Sequence, residues 1–238
     1  MEKITIILFL LCDILVDAWG QTSKEKNEDY NFFITNGDTV RYNSKYTWMK
    51  SNVEWLVNER TRLQALVDSN YNVLTDFKYR TAFDFYPTDN CVPALCGNKW
   101  GMISKEGIEV IEFEYNFCYP ASCLDIENKE FYVFEKGKKK GVVDSDGNII
   151  IPFDKWEKIS CHKHSIFQLK KGRNYYLYSM KTGKTTPMKN NVLIDDFNKN
   201  GKAIIWNLKS KGYGVIDTTG TVIQPCIYTE EEAMKLSK

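Results

Sequence analysis

The sequence KGVVDSDGNIII at residues 140–151 is the clearest copy of a short unit that recurs along this chain. Residues 141–144 read as a β-strand, and residues 145–147 read as a tight turn whose glycine is free to adopt a positive φ. The apolar run that follows ends at Pro152, since proline cannot donate to a strand ladder. Together with the β-prone run at 131–134, the sequence predicts three short antiparallel strands in this unit.

Two segments align with residues 140–147 without gaps, namely WGMISKEG at 100–107 and YGVIDTTG at 213–220. In each copy a glycine follows the first residue, apolar and polar residues come next, and a second glycine closes the motif. Weaker copies place Ala65 and Leu177 at the position of the first glycine. These reference positions, 65, 101, 141, 177 and 214, lie 36, 40, 36 and 37 residues apart. Such a regular period predicts a tandem array of repeat units.

The pattern resembles the WG-repeat family, whose namesake pair is present here as Trp100-Gly101. Lys140 and Tyr213 stand in place of the tryptophan in the other two clear copies. The resemblance covers about residues 60–228 and implies an all-β repeat array with no defined activity. The repeat-defining residues of this chain are Trp100, Gly101, Gly107, Gly141, Gly147, Gly214 and Gly220.

The repeat predicts an all-β fold, a tandem array of five to six short antiparallel units in an open, solenoid-like form. A β-propeller is the alternative, because propeller blades have a period of ~40 residues. Propeller blades contain four strands, whereas three clear strands are visible in each unit, so the open array is favoured. In either form we expect two backbones to approach closely at the first glycine, and the aromatic residue beside it to lie between neighbouring units.

The N-terminal residues 1–20 have the features of a secretory signal peptide. Lys3 precedes an apolar run at 4–11, and the small residues Ala18 and Gly20 suit a cleavage site. A transmembrane anchor is the alternative, and the acidic residues that interrupt the apolar stretch disfavour it. We therefore expect an exported protein with no membrane span in its mature chain.

The rest of the chain divides into three parts. Residues 21–28 are polar and predict a flexible linker, and residues 29–228 hold the repeat domain. Residues 229–238 predict a short C-terminal helix, because Thr229 and Glu232 have the spacing of a capping box.

Four cysteines form the sharpest local signal, in the related segments CVPALC at 91–96 and CYPASC at 118–123. In an exported protein the default expectation is disulfides within or between such segments. A four-thiolate zinc site is the rival interpretation, and free thiols are the third. The disulfide candidates are Cys91, Cys96, Cys118 and Cys123.

Three further motifs suggest ligand binding but are better explained as turns or solvated loops. The string DSDGN at 144–148 lacks the spacing of a calcium loop, and GKT at 183–185 lacks the first glycine of a phosphate loop. The string CHKH at 161–164 offers sulfur and imidazole ligands, yet no further ligand is evident, so a solvated loop is favoured. We predict no metal, no cofactor and no catalytic residue.

The composition narrows the class of partner. The formal net charge is only +1, which argues against nucleic acid as a partner. We expect a secreted or periplasmic, non-catalytic repeat protein that serves as a protein-binding or scaffold module of the cell envelope. The partner is then an unidentified protein or an envelope polymer, and the alternative function is a glycan-binding or other ligand-binding module.

Overall fold

A computed structural model describes residues 25–27, 30–35, 38–44, 51–70, 72–121 and 130–238 of the chain. These residues form antiparallel sheets of short strands and one short helix, so the predicted all-β repeat fold is confirmed. The chain divides into two compact units, with the boundary between Glu114 and Tyr115.

The first unit is built on one sheet of nine strands that are hydrogen-bonded in chain order. Strands β5 and β6 share a single residue pair, Gln64 with Tyr79, so the sheet has two parts, and the second part is a four-stranded meander. The strands are β1 (Glu25–Asn27), β2 (Tyr30–Thr35), β3 (Asp38–Ser44), β4 (Val53–Asn58), β5 (Gln64–Asp68), β6 (Tyr79–Ala82), β7 (Cys91–Cys96), β8 (Lys99–Ser104) and β9 (Glu109–Tyr115).

The second unit contains three sheets of four antiparallel strands, each again in chain order. The second sheet has β10 (Phe117–Pro120), β11 (Phe131–Lys136), β12 (Lys139–Asp144) and β13 (Ile149–Asp154). The third sheet has β14 (Lys158–His162), β15 (Ile166–Lys171), β16 (Asn174–Ser179) and β17 (Lys184–Pro187). The fourth sheet has β18 (Asn191–Leu193), β19 (Lys202–Asn207), β20 (Tyr213–Asp217) and β21 (Val222–Tyr228).

The prediction of three strands per unit is wrong by one in these sheets. The strand missing from the prediction for residues 131–151 is β10, which pairs Cys118 with Phe134 of β11. Strand β10 is short and half-exposed and ends at a proline, so it lacks the alternating pattern that marks a strand in sequence. Four-stranded meanders are also the blades of propellers, so strand number no longer favours the open array over that alternative.

Consecutive sheets of the second unit pack face to face. Between the second and third sheets, the buried rings of Phe131 and Phe167 have centroids 5.7 Å apart and cross at 88°. Between the third and fourth sheets, Leu177 packs in one buried cluster with Leu193 and Ile205. Burying a side chain of this size contributes about 1.5–3 kcal/mol, so these clusters hold neighbouring sheets together.

Helix α1 (Glu230–Ser237) follows the last strand of the fourth sheet. The capping box expected from the sequence is present: the Thr229 hydroxyl accepts from the Glu232 amide, and the Glu232 carboxylate accepts from the Thr229 amide. Within the helix, Ala233 is fully buried. Among the described residues, no helix has the length and apolar character that crossing a bilayer requires.

The N-terminal predictions fare differently. The signal peptide predicted at 1–20 lies outside the described residues. The flexible linker predicted at 21–28 is wrong over residues 25–27, which form β1 and pair with β2. A polar segment can form such an edge strand because the ladder uses backbone groups alone.

Candidate functional site

The first glycine of the repeat lies where two backbones approach closely, as expected from the sequence. Gly101, Gly141 and Gly214 occupy β8, β12 and β20, each the third strand of a four-stranded meander. A methyl group added at Gly214 would lie 2.6–3.0 Å from three atoms of the next strand, with the Gln224 carbonyl oxygen closest at 2.6 Å. An ordinary side chain is therefore excluded at this position.

An aromatic ring covers this glycine in two of the three clear copies. A methyl group at Gly101 would meet Phe113 Cγ at 2.9 Å, and one at Gly141 would meet Phe153 Cγ at 2.8 Å. Each phenylalanine follows its glycine by twelve residues, and in the third copy Cys226 takes that place. Sequence reasoning missed this residue, although the common spacing could have revealed it.

The residue before the glycine contacts its own sheet rather than a neighbouring unit, so that expectation is wrong. The Trp100 ring lies 5.9 Å from that of Phe83, which directly follows β6 of the same meander. The Tyr213 ring packs against that of its cross-strand partner Trp206, with centroids 4.6 Å apart and ring planes inclined by 58°. Lys140, in the same position, forms a salt bridge with its cross-strand partner Glu135 on β11. In two of the three copies, the residue at this position therefore contacts its cross-strand partner.

The turn between the third and fourth strands is held by one carboxylate. Asp144 Oδ1 accepts hydrogen bonds from the amides of Asp146 at 3.0 Å and Asn148 at 2.7 Å. Asp217 Oδ1 does the same for Thr219 and Thr221, both at 2.9 Å. The calcium-like string is therefore a turn whose carboxylate binds its own backbone.

The second glycine completes this turn. Gly107, Gly147 and Gly220 have φ values of +79°, +84° and +87°, a region that strongly favours glycine. A methyl group at Gly107 would lie 2.7 Å from the Leu74 carbonyl oxygen, and one at Gly220 would lie 3.0 Å from Thr186 Cγ2. In both cases the turn reaches the preceding repeat, so the glycine serves the packing between repeats as well.

The first cysteine segment is strand β7 rather than a loop, which rules out the disulfide within that segment that was one of the expected pairings. Cys91 and Cys96 lie at opposite ends of β7, and five steps of a strand span about 17 Å. A disulfide requires Cα atoms within about 7 Å, and thiolates on one zinc ion lie closer still. Neither bond can join this pair.

The described cysteines differ in whether they carry a thiol or a disulfide. Cys91, Cys96, Cys118 and Cys226 all carry thiols, and burial raises the pKa of the Cys118 thiol far above its ordinary value. Cys161 on β14 is disulfide-bonded. Cys123 lies outside the described residues, so its pairing stays a prediction. A buried thiol with a raised pKa is chemically inert, which argues against a nucleophilic role for Cys118.

The histidine string is a junction between sheets rather than the solvated loop expected. His162 ends β14, and its Nδ1 lies 3.7 Å from Asp196 Oδ1 in the segment between β18 and β19. The Lys163 amide donates to the same carboxylate oxygen at 2.7 Å. His164 Nε2 lies 2.8 Å from the Asn198 carbonyl oxygen. We call His162, Lys163, His164, Asp195, Asp196 and Asn198 the polar junction.

The polar junction does not form a metal centre. In the described part of the chain, no group of three or more His, Cys, Asp or Glu side chains is arranged to hold a metal ion. Asp195 has a structural role, because its Oδ1 accepts a hydrogen bond from the Ile204 amide at 2.8 Å. Its carboxylate is partly buried, which raises its pKa.

A second cluster lies where the chain passes from the second sheet to the third. Trp156 contacts Tyr176 edge-on at 5.7 Å, and Lys171 Nζ lies 5.5 Å from the Trp156 ring. Lys171 also binds Asp154 at 2.6 Å, and this hydrogen bond lowers the pKa of that carboxyl group. Trp156 is half-buried against the core between the second and third sheets, so part of the ring is structural.

Apolar side chains are exposed on the last strand of three sheets, and on β9 Val110 is 40% exposed. On β13, Ile149 is 54% exposed; on β21, Val222, Ile223 and Ile227 are 43%, 39% and 74% exposed. Ile223 and Ile227 share one face of β21, because side chains alternate along a strand. We call the side chains of Ile223 and Ile227 the β21 apolar row.

These features define an all-β repeat protein built on glycine-dependent strand contacts. The family model described as WG containing repeat matches residues 100–139 and 213–230. The match covers part of the chain and includes two of its three clear copies, so the resemblance predicted from Trp100-Gly101 and its copies is confirmed. No curated protein matches the chain significantly.

Solved structures give only distant similarity. Hsv2 from Kluyveromyces lactis is 11% identical, with a TM-score of 0.35 over 82% of this chain and 72% of Hsv2. A eukaryotic initiation factor is 10% identical, with a TM-score of 0.42 over 85% of this chain and 61% of the factor. The extracellular domain of BT4673, a putative one component system from B. thetaiotaomicron, is 10% identical, with a TM-score of 0.31 over 89% of this chain and 36% of that protein. At these values the similarity carries no inference about this chain.

Proposed function

We propose that this chain is an exported, non-catalytic repeat protein that binds a protein partner in the periplasm or outside the cell. The observation that carries the proposal is the β21 apolar row, in which Ile227 is 74% exposed on the last strand of the repeat domain. Branched aliphatic side chains lose little conformational entropy on burial and suit the apolar core of a protein interface.

The partner is expected to cover side chains rather than extend the sheet. Pro225 lies in the middle of β21 and lacks the N–H that an added strand would need. Pro152 occupies the matching place in β13. Prolines at such edges blunt strand addition, so the exposed face of β21 is the better binding surface.

The absence of catalysis remains part of the proposal. It is supported by the way the polar groups of the repeat are used: Asp144 and Asp217 bind their own turns, and Lys140 binds its cross-strand neighbour. Export is supported by the signal-peptide pattern at residues 1–20. We propose no cofactor.

Glycan binding is the second candidate, favoured by the cluster around Trp156. A half-exposed indole beside Tyr176, flanked by the carboxylate of Asp154, combines an apolar ring with hydrogen-bonding groups. Such a combination suits a sugar ring. Lys171 already covers part of the indole, which makes this surface the weaker of the two.

The test is affinity capture from an envelope extract with the wild-type chain and two variants. Ile227→Glu places a charge in the β21 apolar row, and Leu208→Glu is the matched control at a 40% exposed apolar position in the turn that follows β19. We expect a stoichiometric protein to be retained by the wild type and by Leu208→Glu, and at least tenfold less of it by Ile227→Glu.

Other outcomes overturn the proposal in distinct ways. Equal capture by both variants would remove the β21 apolar row as the binding surface. Retention on a polysaccharide column, lost in Trp156→Ala, would replace protein binding by glycan binding. Turnover of a substrate by the purified chain would contradict both binding functions.

A further inference from the structure

Both histidines of the chain lie where β14 meets the turn that follows it: His162 is the last residue of β14, and His164 lies in the turn. The turn between β14 and β15 contains His164 and Ser165, whose φ values are +60° and +54°. It faces the segment between β18 and β19, where Asp196 accepts from the Lys163 amide at 2.7 Å. The polar junction thus joins the third sheet to the fourth.

The two imidazoles have different hydrogen-bonding surroundings. His164 Nε2 faces a carbonyl oxygen, which can only accept, so this nitrogen already carries a proton and donates it. His162 Nδ1 faces the Asp196 carboxylate at 3.7 Å, whereas its Nε2 is buried and has no hydrogen-bond partner among the described residues. Neutral His162 fits this site with its proton on Nδ1 and a bare nitrogen at Nε2.

Protonation of His162 would place an N–H group at Nε2. A buried donor without an acceptor is unfavourable, because it loses its hydrogen bond to water and gains none in the protein. Escape from this position requires the imidazole to move toward solvent, and the imidazole sits at the end of β14 where the turn begins.

The charged groups around His162 act in both directions. Asp195 and Asp196 of the facing segment favour the imidazolium, and Lys158 on the same strand opposes it. Lys163 Nζ, 3.9 Å from Asp196 Oδ2, already neutralises part of that carboxylate. Desolvation is the largest influence, and the pKa of His162 is lowered from its ordinary value of 6.5.

We propose that His162 makes the junction between the third and fourth sheets acid-sensitive, so that its protonation loosens the β14–β15 turn from the segment between β18 and β19. Asn198 extends the effect to the C-terminus. Its carbonyl oxygen binds His164, and its side-chain amide donates to the Ser237 carbonyl oxygen of α1 at 2.7 Å.

The sign of the pH dependence follows from the lowered pKa. The unfolded chain binds the His162 proton more readily than the folded chain, so the stability that neutral His162 provides is complete above pH 6.5. It is lost as the pH falls below that value and through the folded-state pKa. The raised pKa of Asp195 has the opposite sign and acts in the more acidic range of carboxyl groups.

The test compares thermal unfolding of the wild type, His162→Gln and His164→Gln at pH 7.5 and pH 5.5. Glutamine does not titrate, and His164→Gln is the matched control in the same turn. We expect the melting temperature of the wild type and of His164→Gln to fall at least about 2 °C further on acidification than that of His162→Gln. Equal falls in all three proteins, or a reduced fall in His164→Gln alone, would overturn the proposal.

Amide hydrogen exchange of the wild type keeps the proposal testable if a variant does not fold. After correction for intrinsic rates, the Lys163 amide is expected to lose protection at pH 5.5. The Asn148 amide, which donates to Asp144 in the second sheet, provides the internal control and is expected to keep its protection. Loss at both sites, or at neither, would contradict a local effect of His162.

Discussion

Gly141 shows what the repeat requires of a single residue. Its backbone lies against the Ile151 carbonyl oxygen and under the ring of Phe153, and a methyl group would meet these at 2.9 Å and 2.8 Å. The requirement is steric, because the next strand passes too close for a β-carbon. In one of the weaker copies, Ala65 takes the place of this glycine. Phe77, twelve residues further along, contributes to a small buried cluster with Leu56 and Val67.

At this scale we predict that Gly141→Ala destabilises the protein by about 1–3 kcal/mol, as overpacking of a well-packed site does. Phe153→Leu should recover part of this loss in the double variant, since residues in contact are energetically coupled. Chemical denaturation of the four proteins of this cycle measures the coupling. Additive losses would show that the ring is not the obstacle.

The strand–turn–strand element depends on the aspartate at its centre. Asp144 is 4% exposed and holds two amides of its own turn, so the turn conformation is stabilised before any contact with another repeat. Ser104 makes the equivalent contacts in its copy, with the amides of Glu106 and Ile108. The polar residue of the motif is thus a turn-forming residue rather than a ligand.

For this element we predict that Asp144→Ala costs about 1–3 kcal/mol, because two amides of the turn lose their charged acceptor. Asp144→Asn keeps an acceptor oxygen and should retain most of the stability. Denaturant midpoints of both variants, measured with and without millimolar calcium, provide the check. A calcium-dependent rise in the wild-type midpoint that is absent in Asp144→Asn would instead indicate a cation site.

In the second unit, stability depends on the packing of neighbouring sheets against one another. The Phe131 and Phe167 rings meet between the second and third sheets, and both are almost fully buried. Neighbouring sheets therefore depend on one another, as expected where a single repeat cannot bury its own apolar face.

At the scale of the molecule we predict that Phe167→Ala lowers the free energy of unfolding by about 3–5 kcal/mol. Phe117→Ala is the matched control, since this phenylalanine is 63% exposed and should cost little when removed. Urea denaturation followed by tryptophan fluorescence compares the two variants. Similar losses in both would mean that the inter-sheet cluster is not the main source of stability.

The all-β class, the repeat period and the strand–turn–strand core of each clear unit could be predicted from sequence, because they depend on residues close together in the chain. The positive φ of the turn glycines, the turn aspartate and the Thr229 cap depend on residues only a few positions away. Strand β10 and the ring over Gly141 escaped prediction, since a short half-exposed strand has little pattern and the ring is twelve residues away.

Tertiary structure alone established the remaining features. The sequence predicted that Cys91 and Cys96 lie close together in one loop, whereas they lie at opposite ends of strand β7. The sequence favoured a solvated loop at His162, whereas in the structure the side chain of Asp196, far along the chain, lies beside it. Burial and pairing of this kind arise only when sheets pack together. The glycine that permits the close approach of two strands, in contrast, can be identified in the sequence of each clear copy.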